Sequence, residues 1–568
     1  MRFTSLAQSL QKLEATSSRI ATTKILSEIF IRSDAGEIGR VTNLILGRLA
    51  PGYKGIVFNM ADKMVIKALA RAAGESEEKI KADYKRHGDL GIVAEKHIGK
   101  KDSKLAVSGV YDKLYKLAVD EGEGSQERKI IALSELFSGA SPLGARYLAR
   151  IPLGKLRLGA SDKTIIDALS WMEKGDKSAS PEIEAAYQVM PDAGAIAEMV
   201  KKNGVEGLSR KVTPQVGTPT LPMLSQRLKS PFDMIEKMGR VSVEPKFDGL
   251  RVLIHFDSGL TRAFSRNLNE VSSMFPELQR LGDYTKAKEL ILDSEAIGFD
   301  SNKKKFLDFQ MTMTRRRKHE VAKAVTDTPM QFQVFDVIYK DGKNLMGEPY
   351  IKRRKVLERL FKKNPVFLVD ENTVTRNPEV IIKMHKSYKD KGLEGVMVKK
   401  ADSKYVPGRT GWRWVKMKEA QSARAPLSDT VDAVIMGFTA GRGRRAGFGV
   451  GQFLAGVRNG NSYLTVTKVG TGLSDEEFRA LNKRLGLIKA AKKPGEYRVH
   501  KDLEPDFWVE PEVVVELAAD EITRSPKHTA GLALRFPRFV RFRDDKSPSL
   551  ATTLSELKEL YKLQKNPL

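Results

Sequence analysis

The chain has 568 residues, of which 41% are hydrophobic and 30% charged, and this length predicts three or four domains, each able to bury a core. The composition is typical of a soluble globular protein, and no apolar run is long enough to cross a bilayer. The formal net charge of +27 indicates a polyanionic partner, nucleic acid first, although a generally basic protein also explains it.

The sequence contains no cysteine. This excludes disulfides, zinc ribbons, iron–sulfur clusters and cysteine nucleophiles. Gln8, Gln11 and Lys12 interrupt the apolar core that a secretory signal needs. We therefore predict a cytoplasmic protein associated with the nucleoid in a prokaryote, or a nuclear one in a eukaryote.

The first 218 residues have helical apolar spacing almost throughout. Phe3, Leu6, Leu10 and Leu13 fall on one helical face, and "TTKILSEIFIRS", "DKMVIKALARAAG" and "EIEAAYQVM" repeat the spacing. An all-helical domain is predicted over residues 1–218.

A basic, glycine-containing stretch lies inside this helical region. It places Arg146, Arg150, Lys155 and Arg157 around glycines that lead into a helix capped near Ser161. Backbone amides at a helix start and nearby arginines make a phosphate cradle, so we predict DNA contacts here. A solvated basic face with ordinary turn glycines explains the stretch equally well.

Residues 211–224 are rich in proline, glycine and threonine and are predicted to be a linker. Alternating segments follow, with helical stretches such as "IKRRKVLERLFKK" between them. One α+β domain on antiparallel sheets is predicted over residues 219–424. Its strands are expected at "VSVEPKF", "RVLIHF", "ELILDSEAIGF", "MQFQVFDVIY", "LEGVMVKK" and "WRWVKMK".

The stretch "VSVEPKFDGLRVLIHF" places a lysine at the junction of two strands. Asp248-Gly249 indicates a hairpin turn, from which Lys246 would project. A lysine nucleophile must lose its proton, which costs about 4.6 kcal/mol at pH 7 from an ordinary pKa of about 10.4. The positive charge of Arg251 would lower that cost by repulsion. A hairpin turn with surface charges is the alternative.

A second linker is predicted in "EAQSARAPLSDTVDAV", followed by five or so strands and one helix with a capping box at Ser474 and Glu477. This content predicts an oligonucleotide-binding (OB) barrel over residues 425–568. "GRGRRAGFGVGQF" is predicted to be a basic hairpin that contacts DNA through Arg442, Arg444 and Arg445, although a solvated loop is equally compatible.

"EPKFDGLR" resembles the adenylylation motif of the covalent nucleotidyltransferases. The family's later motifs follow in order as "SRN", "LDSEAIGFD", "FQVFDVIY", "LEGVMVKK", "WRWVKMK" and "LRFPRFVRFRDDKSP". The helical N-terminal region narrows the resemblance to replicative-type ATP-dependent DNA ligases of archaea and eukaryotes, over nearly the whole chain.

The resemblance implies a multidomain enzyme with an all-α DNA-binding domain, an adenylation domain and an OB-fold domain. Lys246 would take AMP from ATP, pass it to the 5′-phosphate of a nick, and seal the nick in replication, repair and recombination. The implied partners are nicked duplex DNA and, where present, a sliding clamp, and the implied state is a monomer.

The resemblance also assigns roles to residues. Glu244 would contact adenine, Arg251 and Arg266 the ribose and phosphate side, and Glu295 the sugar, while Phe335 stacks on the purine. Glu394 and Lys399 resemble metal-side and phosphate-side contacts, although a structural salt bridge also explains Glu394. The metal would be Mg²⁺, with Asp248, Glu295 and Glu394 as candidate ligands.

The stretch "WRWVKMK" has the two-residue period of a strand, which places Trp414, Lys416 and Lys418 on one face. Two lysines on an inward face favour a triphosphate between them. Many archaeal relatives have an arginine six residues before the equivalent of Lys416; here Thr410 stands there, and Arg409 is the expected substitute.

Two other classes share part of this pattern. RNA ligases and capping enzymes share the lysine chemistry, but the helical N-terminal domain is foreign to capping enzymes. A non-enzymatic DNA-binding protein would account for the charge but not for the ordered motifs. An NAD-dependent ligase is disfavoured because that family carries a cysteine zinc module.

Overall fold

A computed structural model describes most of the chain, in two compact units, Met1–Lys418 and Glu419–Leu568. No helix among the described residues is long and apolar enough to cross a membrane. The described residues are 1–16, 18–100, 102–228, 230–300, 305–307, 311–312, 315, 328–408, 411–418, 430–441 and 448–565.

The N-terminal region is helical, as its apolar spacing predicts. Phe3, Leu6, Leu10 and Leu13 of the first helix are all buried in one large hydrophobic cluster. The helices are α1 Phe3–Glu14, α2 Arg19–Arg32, α3 Ile38–Ile45, α4 Asp62–Ala73, α5 Glu77–His87, α6 Leu90–His97, α7 Val107–Val119, α8 Ser125–Gly139, α9 Pro142–Arg150, α10 Asp162–Lys174, α11 Ser180–Val189, α12 Ala193–Asn203 and α13 Leu208–Lys211.

Capping residues determine where the two helices that flank the basic stretch begin. The Ser141 hydroxyl accepts from the Gly144 backbone and Pro142 occupies the first turn, so α9 begins there. The predicted cap at Ser161 is confirmed, because Ser161 and Thr164 form a reciprocal capping box at the start of α10.

Antiparallel strands dominate the region from Pro231 to Lys418, and every strand predicted there is confirmed. The helices are α14 Pro231–Met238, α15 Leu281–Tyr284, α16 Tyr350–Glu358 and α17 Pro378–Asp390. The strands are β1 Val241–Lys246, β2 Leu250–Asp257, β3 Leu260–Ser265, β4 Glu289–Asp300, β5 Lys305–Phe306, β6 Met330–Lys340, β7 Lys343–Asn344, β8 Phe367–Val369, β9 Thr373–Thr375, β10 Gly395–Lys400 and β11 Trp414–Lys418.

These strands form two sheets. A four-stranded sheet has the order β11-β10-β1-β9, and a seven-stranded sheet has the order β3-β2-β4-β6-β7, with β5 on β4 and β8 on β6. The pair of β6 and β8 is parallel, and the other pairs are antiparallel. Because β1 and β2 lie in different sheets, the short link between them crosses from one sheet to the other.

The predicted hairpin at Asp248-Gly249 is therefore wrong. β1 pairs with β9 and β10, while β2 pairs with β3 and β4. A Cβ on Gly249 would lie 2.5 Å from the Ala296 carbonyl oxygen, so only glycine lets the crossing chain pass this close to β4. The glycine serves a close backbone approach and not a hairpin turn.

The predicted linker before β1 has no helix or strand of its own in its described residues after Lys211, but its second half is held in place. The Gly217 amide donates to His255 Nδ1 at 3.0 Å, and Met223 forms a parallel bridge with Gly408. Thr220 and Met223 are buried. The segment therefore packs against the adenylation region in addition to connecting it to the helical region.

The C-terminal unit is mostly sheet. The elements are β12 Val431–Ala440, β13 Val450–Asn459, β14 Ser462–Val469, α18 Asp475–Leu487, β15 Lys489–Ala490, β16 Tyr497–Arg498, β17 Phe507–Val509, β18 Val514–Ala518, β19 Glu521–Arg524, β20 Leu532–Arg535, β21 Arg538–Phe542 and α19 Leu554–Lys565. The largest sheet has the order β15-β17-β12-β13-β14-β16, with β18 between β12 and β21. The capping box at Ser474 and Glu477 is confirmed at the start of α18. Most of the predicted second linker lies outside the described residues.

Candidate active site

One face of the four-stranded sheet carries Lys246 and half of the residues predicted to bind nucleotide. Strand register and two-residue alternation place three rows of residues on this face. Val241, Val243, Val396, Val398 and Val415 point to the opposite side, into a hydrophobic cluster. The rows are Lys246, Gly395 and Lys418; Glu244, Met397 and Lys416; and Ser242, Lys399 and Trp414.

Lys246 ends β1 in the first row, and its side chain is 18% exposed. Its Nζ forms an ion pair with Glu394 Oε2, and the Glu394 amide donates to the Lys246 carbonyl at 3.0 Å. Burial lowers the pKa of Lys246; Glu295 and Asp248 oppose this shift, and Arg251 adds to it. The amine is thus easier to deprotonate than an ordinary lysine.

The guanidinium of Arg251 forms an ion pair with Asp293. Its guanidinium donates to both carboxylate oxygens of Asp293 and, at 2.7 Å, to the Met223 carbonyl. The Tyr405 hydroxyl donates to Asp293 at 2.8 Å. The prediction that repulsion from Arg251 keeps Lys246 reactive is therefore corrected: burial of the lysine is the larger cause, and a carboxylate offsets the charge of Arg251.

Glu295 lies opposite Arg251 in the register of β2 and β4. Burial raises the pKa of Glu295 to about 7, while Lys246 and Arg251 act in the opposite direction. A carboxyl group with this pKa changes charge near neutral pH, close to the lysine. Asp248, on the crossing link, is exposed.

Glu244 and Lys399 form a buried ion pair in the site. Both side chains are 1% exposed, and Lys399 Nζ lies 2.5 Å from Glu244 Oε2. Ser242 and Tyr350 donate hydroxyl hydrogen bonds to the other carboxylate oxygen. Lys399 is therefore held at the residue predicted to contact adenine, and its assignment to the phosphate side stays a prediction.

Aromatic rings surround the ammonium group of Lys399. The ring centroids of Phe335, Tyr350 and Trp414 lie 4.7, 4.8 and 4.7 Å from its Nζ. Phe335 also lies 5.6 Å from the Arg251 guanidinium, so its ring spans the space between the two sheets. The indole N–H of Trp414 is buried without a hydrogen-bond partner in the described part of the chain.

A further buried carboxylate, which no sequence pattern indicated, lies near this pair. Burial and the charge of Glu244 raise the pKa of Asp370 to about 7, against Lys399 and Arg354. Arg354 donates to Asp370 Oδ1 at 2.6 Å. The base side of the site is therefore a closely coupled set of charges.

The three carboxylates predicted to bind metal do not form a metal-binding group with each other. No cluster of three or more metal-ligating side chains occurs among the residues that the structure describes. Mg²⁺ is commonly held by one or two carboxylates together with substrate phosphates. Glu295 and Glu394, both near Lys246, fit that partial donor set.

The basic stretch in the helical region divides into buried and exposed residues. Arg150 is 2% exposed and pairs with Glu14 and Asp89. Arg146 is mostly buried against Glu95 and Glu14. The guanidinium of Arg150 is enclosed and paired with carboxylates, which argues against the predicted DNA contact.

Lys155 and Arg157 remain exposed, and each makes a surface ion pair, with Asp62 and Asp89 respectively. Both can reach a phosphate. Arg266 is also exposed and lines a pocket with Arg251. Four predicted residues, and the side chain of Lys418, lie outside the part of the chain that the structure describes: Arg409, Arg442, Arg444 and Arg445.

Sequence reasoning missed several residues that hold the site together. Asp293 precedes Glu295 by two residues in "LDSEA", so strand alternation places both on one face and was a usable signal. Tyr350, Ser242 and Thr220 carry no such signal, because their importance depends on what packs against them.

Three family models match the chain in order: DNA ligase N terminus over residues 2–170, ATP dependent DNA ligase domain over 222–418, and ATP dependent DNA ligase C terminal region over 446–546. The "Probable DNA ligase" of Dictyoglomus thermophilum is 38% identical over 576 residues, covering 100% of this chain and 98% of its own. The chain belongs to the ATP-dependent DNA ligases.

An archaeal relative agrees with this membership. The "DNA ligase" of Aeropyrum pernix is 38% identical to this ligase over 599 residues, covering 99% of this chain and 98% of its own. The solved structure "Pmar-Lig_Pre." has a TM-score of 0.55 at 18% identity, covering 95% of this ligase and 99% of that chain, and shares its fold. The resemblance to ATP-dependent DNA ligases is confirmed.

Proposed function

We propose that this ligase seals single-strand nicks in duplex DNA through a lysyl-AMP at Lys246 and then a DNA-adenylate, in replication, repair and recombination. The observation that carries the proposal is the state of Lys246. Its amine is mostly buried, burial lowers its pKa, and it shares a sheet face with Glu244. A lysine nucleophile needs such a setting.

In the first step the lone pair of Lys246 Nζ attacks the α-phosphorus of ATP. A P–N bond forms, the bond to the bridging oxygen of the β-phosphate breaks, and pyrophosphate leaves. The amine gives up one proton before the attack and one after it, and the Glu394 carboxylate touches Nζ and can accept the first.

In the second step a 5′-phosphate oxygen of the nick attacks the AMP phosphorus, and the P–N bond breaks. In the third step the 3′-hydroxyl oxygen attacks the nick phosphorus, AMP leaves, and the hydroxyl proton is released. Each step exchanges one phosphorus bond for another, so the energy of the ATP bond is carried to the nick.

The other residues are proposed to bind and orient the nucleotide. Phe335 stacks on adenine and Glu244 contacts its polar edge. Arg251 and Arg266 contact the ribose and phosphate side, and Glu295 contacts the sugar. Lys416 and Lys418 bind the triphosphate, and Arg409 contributes a further positive charge there. Trp414 packs beneath the nucleotide. In this proposal Lys399 acts at the base side with Glu244, where it is held.

Magnesium is proposed as the metal cofactor. It would offset the negative charge of the α-phosphate. Glu295 and Glu394 would hold it together with phosphate oxygens, and Asp248 is a third candidate at the exposed edge. The protein's own contribution is to keep these carboxyl groups next to Lys246.

The remaining proposals concern domains and partners. We propose a DNA-binding domain over residues 1–218, an adenylation domain over 219–424 and an OB-fold barrel over 425–568. The largely antiparallel C-terminal sheet and the inserted α18 support the barrel. We further propose a monomer that contacts DNA through Lys155, Arg157 and the arginines at 442, 444 and 445, and admits a sliding clamp. Cytoplasmic or, in a eukaryote, nuclear residence follows from this function.

The test is incubation of the ligase with Mg²⁺ and ATP labelled at the α-phosphate, followed by denaturation. The label is expected to stay on the peptide that contains Lys246 and to leave when nicked duplex DNA is added. A nicked RNA duplex in parallel separates DNA ligation from RNA ligation. Absence of an AMP-sized mass increment on that peptide would overturn the proposal.

A further inference from the structure

A pocket lies beside the site, between the segment before β1 and the seven-stranded sheet. Thr220 and Pro222 line one side, and Arg251, Leu253, Phe264 and Arg266 line the other. Both arginines assigned to the ribose and phosphate side of the nucleotide therefore border it. The pocket adjoins the site through Arg251, whose guanidinium lies 5.6 Å from the Phe335 ring.

Thr220 is the unusual member of this lining. It is 0% exposed, and its Oγ1 has no hydrogen-bond partner among the described residues. Buried hydroxyls are nearly always paired, because leaving one unpaired destabilises the fold. A hydroxyl kept unpaired at the edge of a ligand pocket is accounted for if the ligand supplies its partner.

The chemistry of the pocket favours a sugar over a phosphate. Asp293 offsets the charge of Arg251 and occupies its Nε and one Nη2 hydrogen, and the Met223 carbonyl occupies one Nη1 hydrogen. Two guanidinium N–H groups remain free to donate. Pro222, Leu253 and Phe264 add apolar walls, which suit the carbon skeleton of a ribose.

A ribose hydroxyl matches both polar partners at once. It can accept from an Arg251 N–H and either donate to or accept from the Thr220 hydroxyl. A phosphate oxygen could accept from both groups, so the preference for a sugar rests on the neutralised charge of Arg251 and on the apolar walls. We propose that Thr220 is a specificity-determining residue that hydrogen-bonds a ribose hydroxyl of the nucleotide and makes the enzyme prefer a ribonucleotide donor. This inference rests on the proposed function.

The experiment compares adenylation of the full-length enzyme by ATP, 2′-deoxy-ATP and 3′-deoxy-ATP, each at subsaturating concentration with Mg²⁺. Wild type is expected to prefer ATP over at least one of the deoxynucleotides. Thr220→Val is expected to slow adenylation by ATP about fivefold, the effect of losing one neutral hydrogen bond. The rate of adenylation by that deoxynucleotide is expected to stay unchanged. Thr220→Ser keeps the hydroxyl and is expected to retain the preference.

Thr261 provides a matched control. It is also buried with an unpaired Oγ1, but it is not part of the pocket lining. Thr261→Val is therefore expected to leave the ATP to deoxy-ATP ratio unchanged. Both valine variants are expected to melt at or above the wild-type temperature, since each removes an unpaired buried hydroxyl.

Three results would overturn the inference. They are a wild type without preference between ATP and both deoxynucleotides, an unchanged ratio in Thr220→Val, and an equal loss for all three nucleotides in that variant. The last would indicate a phosphate or base contact. Failure of the proposed function looks different, because the wild-type enzyme would then form no adenylate with any donor.

Discussion

Arg251 and Asp293 form a two-point ion pair inside the candidate site. Arg251 Nε donates to Asp293 Oδ1 at 2.9 Å and Nη2 donates to Oδ2 at 2.6 Å. Asp293 is buried, and Tyr405 donates to the same carboxylate. This two-point contact fixes the plane of the guanidinium. The directions of its remaining N–H groups are therefore fixed as well.

Asp293→Asn is expected to release Arg251 and lower both stability and nucleotide binding. Loss of the charged partner should cost about 2 to 3 kcal/mol of unfolding free energy. Thermal unfolding and a titration of adenylation against ATP concentration measure the two effects. Asp402→Asn, which breaks the exposed pair with Arg240, is the control and should cost less than about 1 kcal/mol. Equal effects of the two substitutions would contradict this role of Asp293.

Lys246→Arg is expected to abolish adenylate formation and leave DNA affinity nearly unchanged. An arginine stays protonated at any usable pH and has no free lone pair for the attack. Labelled ATP measures the first property and a gel-shift titration with nicked duplex the second. Lys400→Arg, on the opposite face of β10, should behave as wild type. An adduct on the Lys246→Arg protein would show that the nucleophile is another residue.

Gly249→Ala is expected to damage the site through the backbone. Its new Cβ would lie 2.5 Å from the Ala296 carbonyl oxygen and 3.0 Å from Glu295 Cγ. Relief of this overlap should cost about 1 to 3 kcal/mol and displace the link between Lys246 and Arg251. Gly347→Ala meets nothing within 4 Å and is the control. Chemical denaturation measures the unfolding free energy of both variants, and labelled ATP measures their adenylation rates. A Gly249→Ala protein with wild-type stability and rate would refute the close-approach argument.

Glu295→Gln is expected to change how stability depends on pH. Because burial raises the pKa of Glu295 from 4.5 to about 7, the folded protein keeps a proton that the unfolded chain loses between these values. The contribution of Glu295 is therefore fully present below pH 4.5 and is lost as pH rises through about 7.

Glutamine does not titrate, so the variant should gain stability relative to wild type between pH 5 and 8, by at most about 3 kcal/mol. Asp370 also has a pKa of about 7, but it titrates in both proteins and cancels. Denaturant melts at several pH values measure the difference. A difference that stays constant or reverses with pH would count against the raised pKa.

Substitution of two arginines of the basic stretch is expected to affect different properties, stability for Arg150 and DNA binding for Arg157. Arg150→Ala leaves the carboxylates of Glu14 and Asp89 without their buried partner and should cost about 3 to 5 kcal/mol of stability. Arg157→Ala removes an exposed charge and should leave stability nearly unchanged, while the log–log salt slope of nick binding falls by about one. The opposite pattern would restore Arg150 as a DNA contact.

Much of the fold was predictable because its signals are local. The spacing of Phe3, Leu6, Leu10 and Leu13 determines a buried helical face whatever lies against it. The same holds for the alternation in β11 that separates Trp414 from Val415. Residues such as Lys246 and Glu295 were found because they stand in ordered motifs that resemble those of a known family.

The errors share one physical cause. Asp248-Gly249 is compatible with a hairpin or with a crossing between sheets, and the choice was made by the pairing of β1 with β10, about 150 residues away in the chain. The burial of Arg150 depends likewise on Glu14 and Asp89, which lie far from it in sequence.

By itself the sequence determined the order of helical and strand regions, the basic charge, the set of chemically capable residues and the family to which they belong, because periodicity, composition and motif order are properties of the chain alone. Only the tertiary structure decided which charges are enclosed and what they face. The lowered pKa of Lys246 arises from burial by residues distant in sequence. The pairing of Lys399 with Glu244 and the unpaired hydroxyl of Thr220 depend likewise on what the fold packs around them.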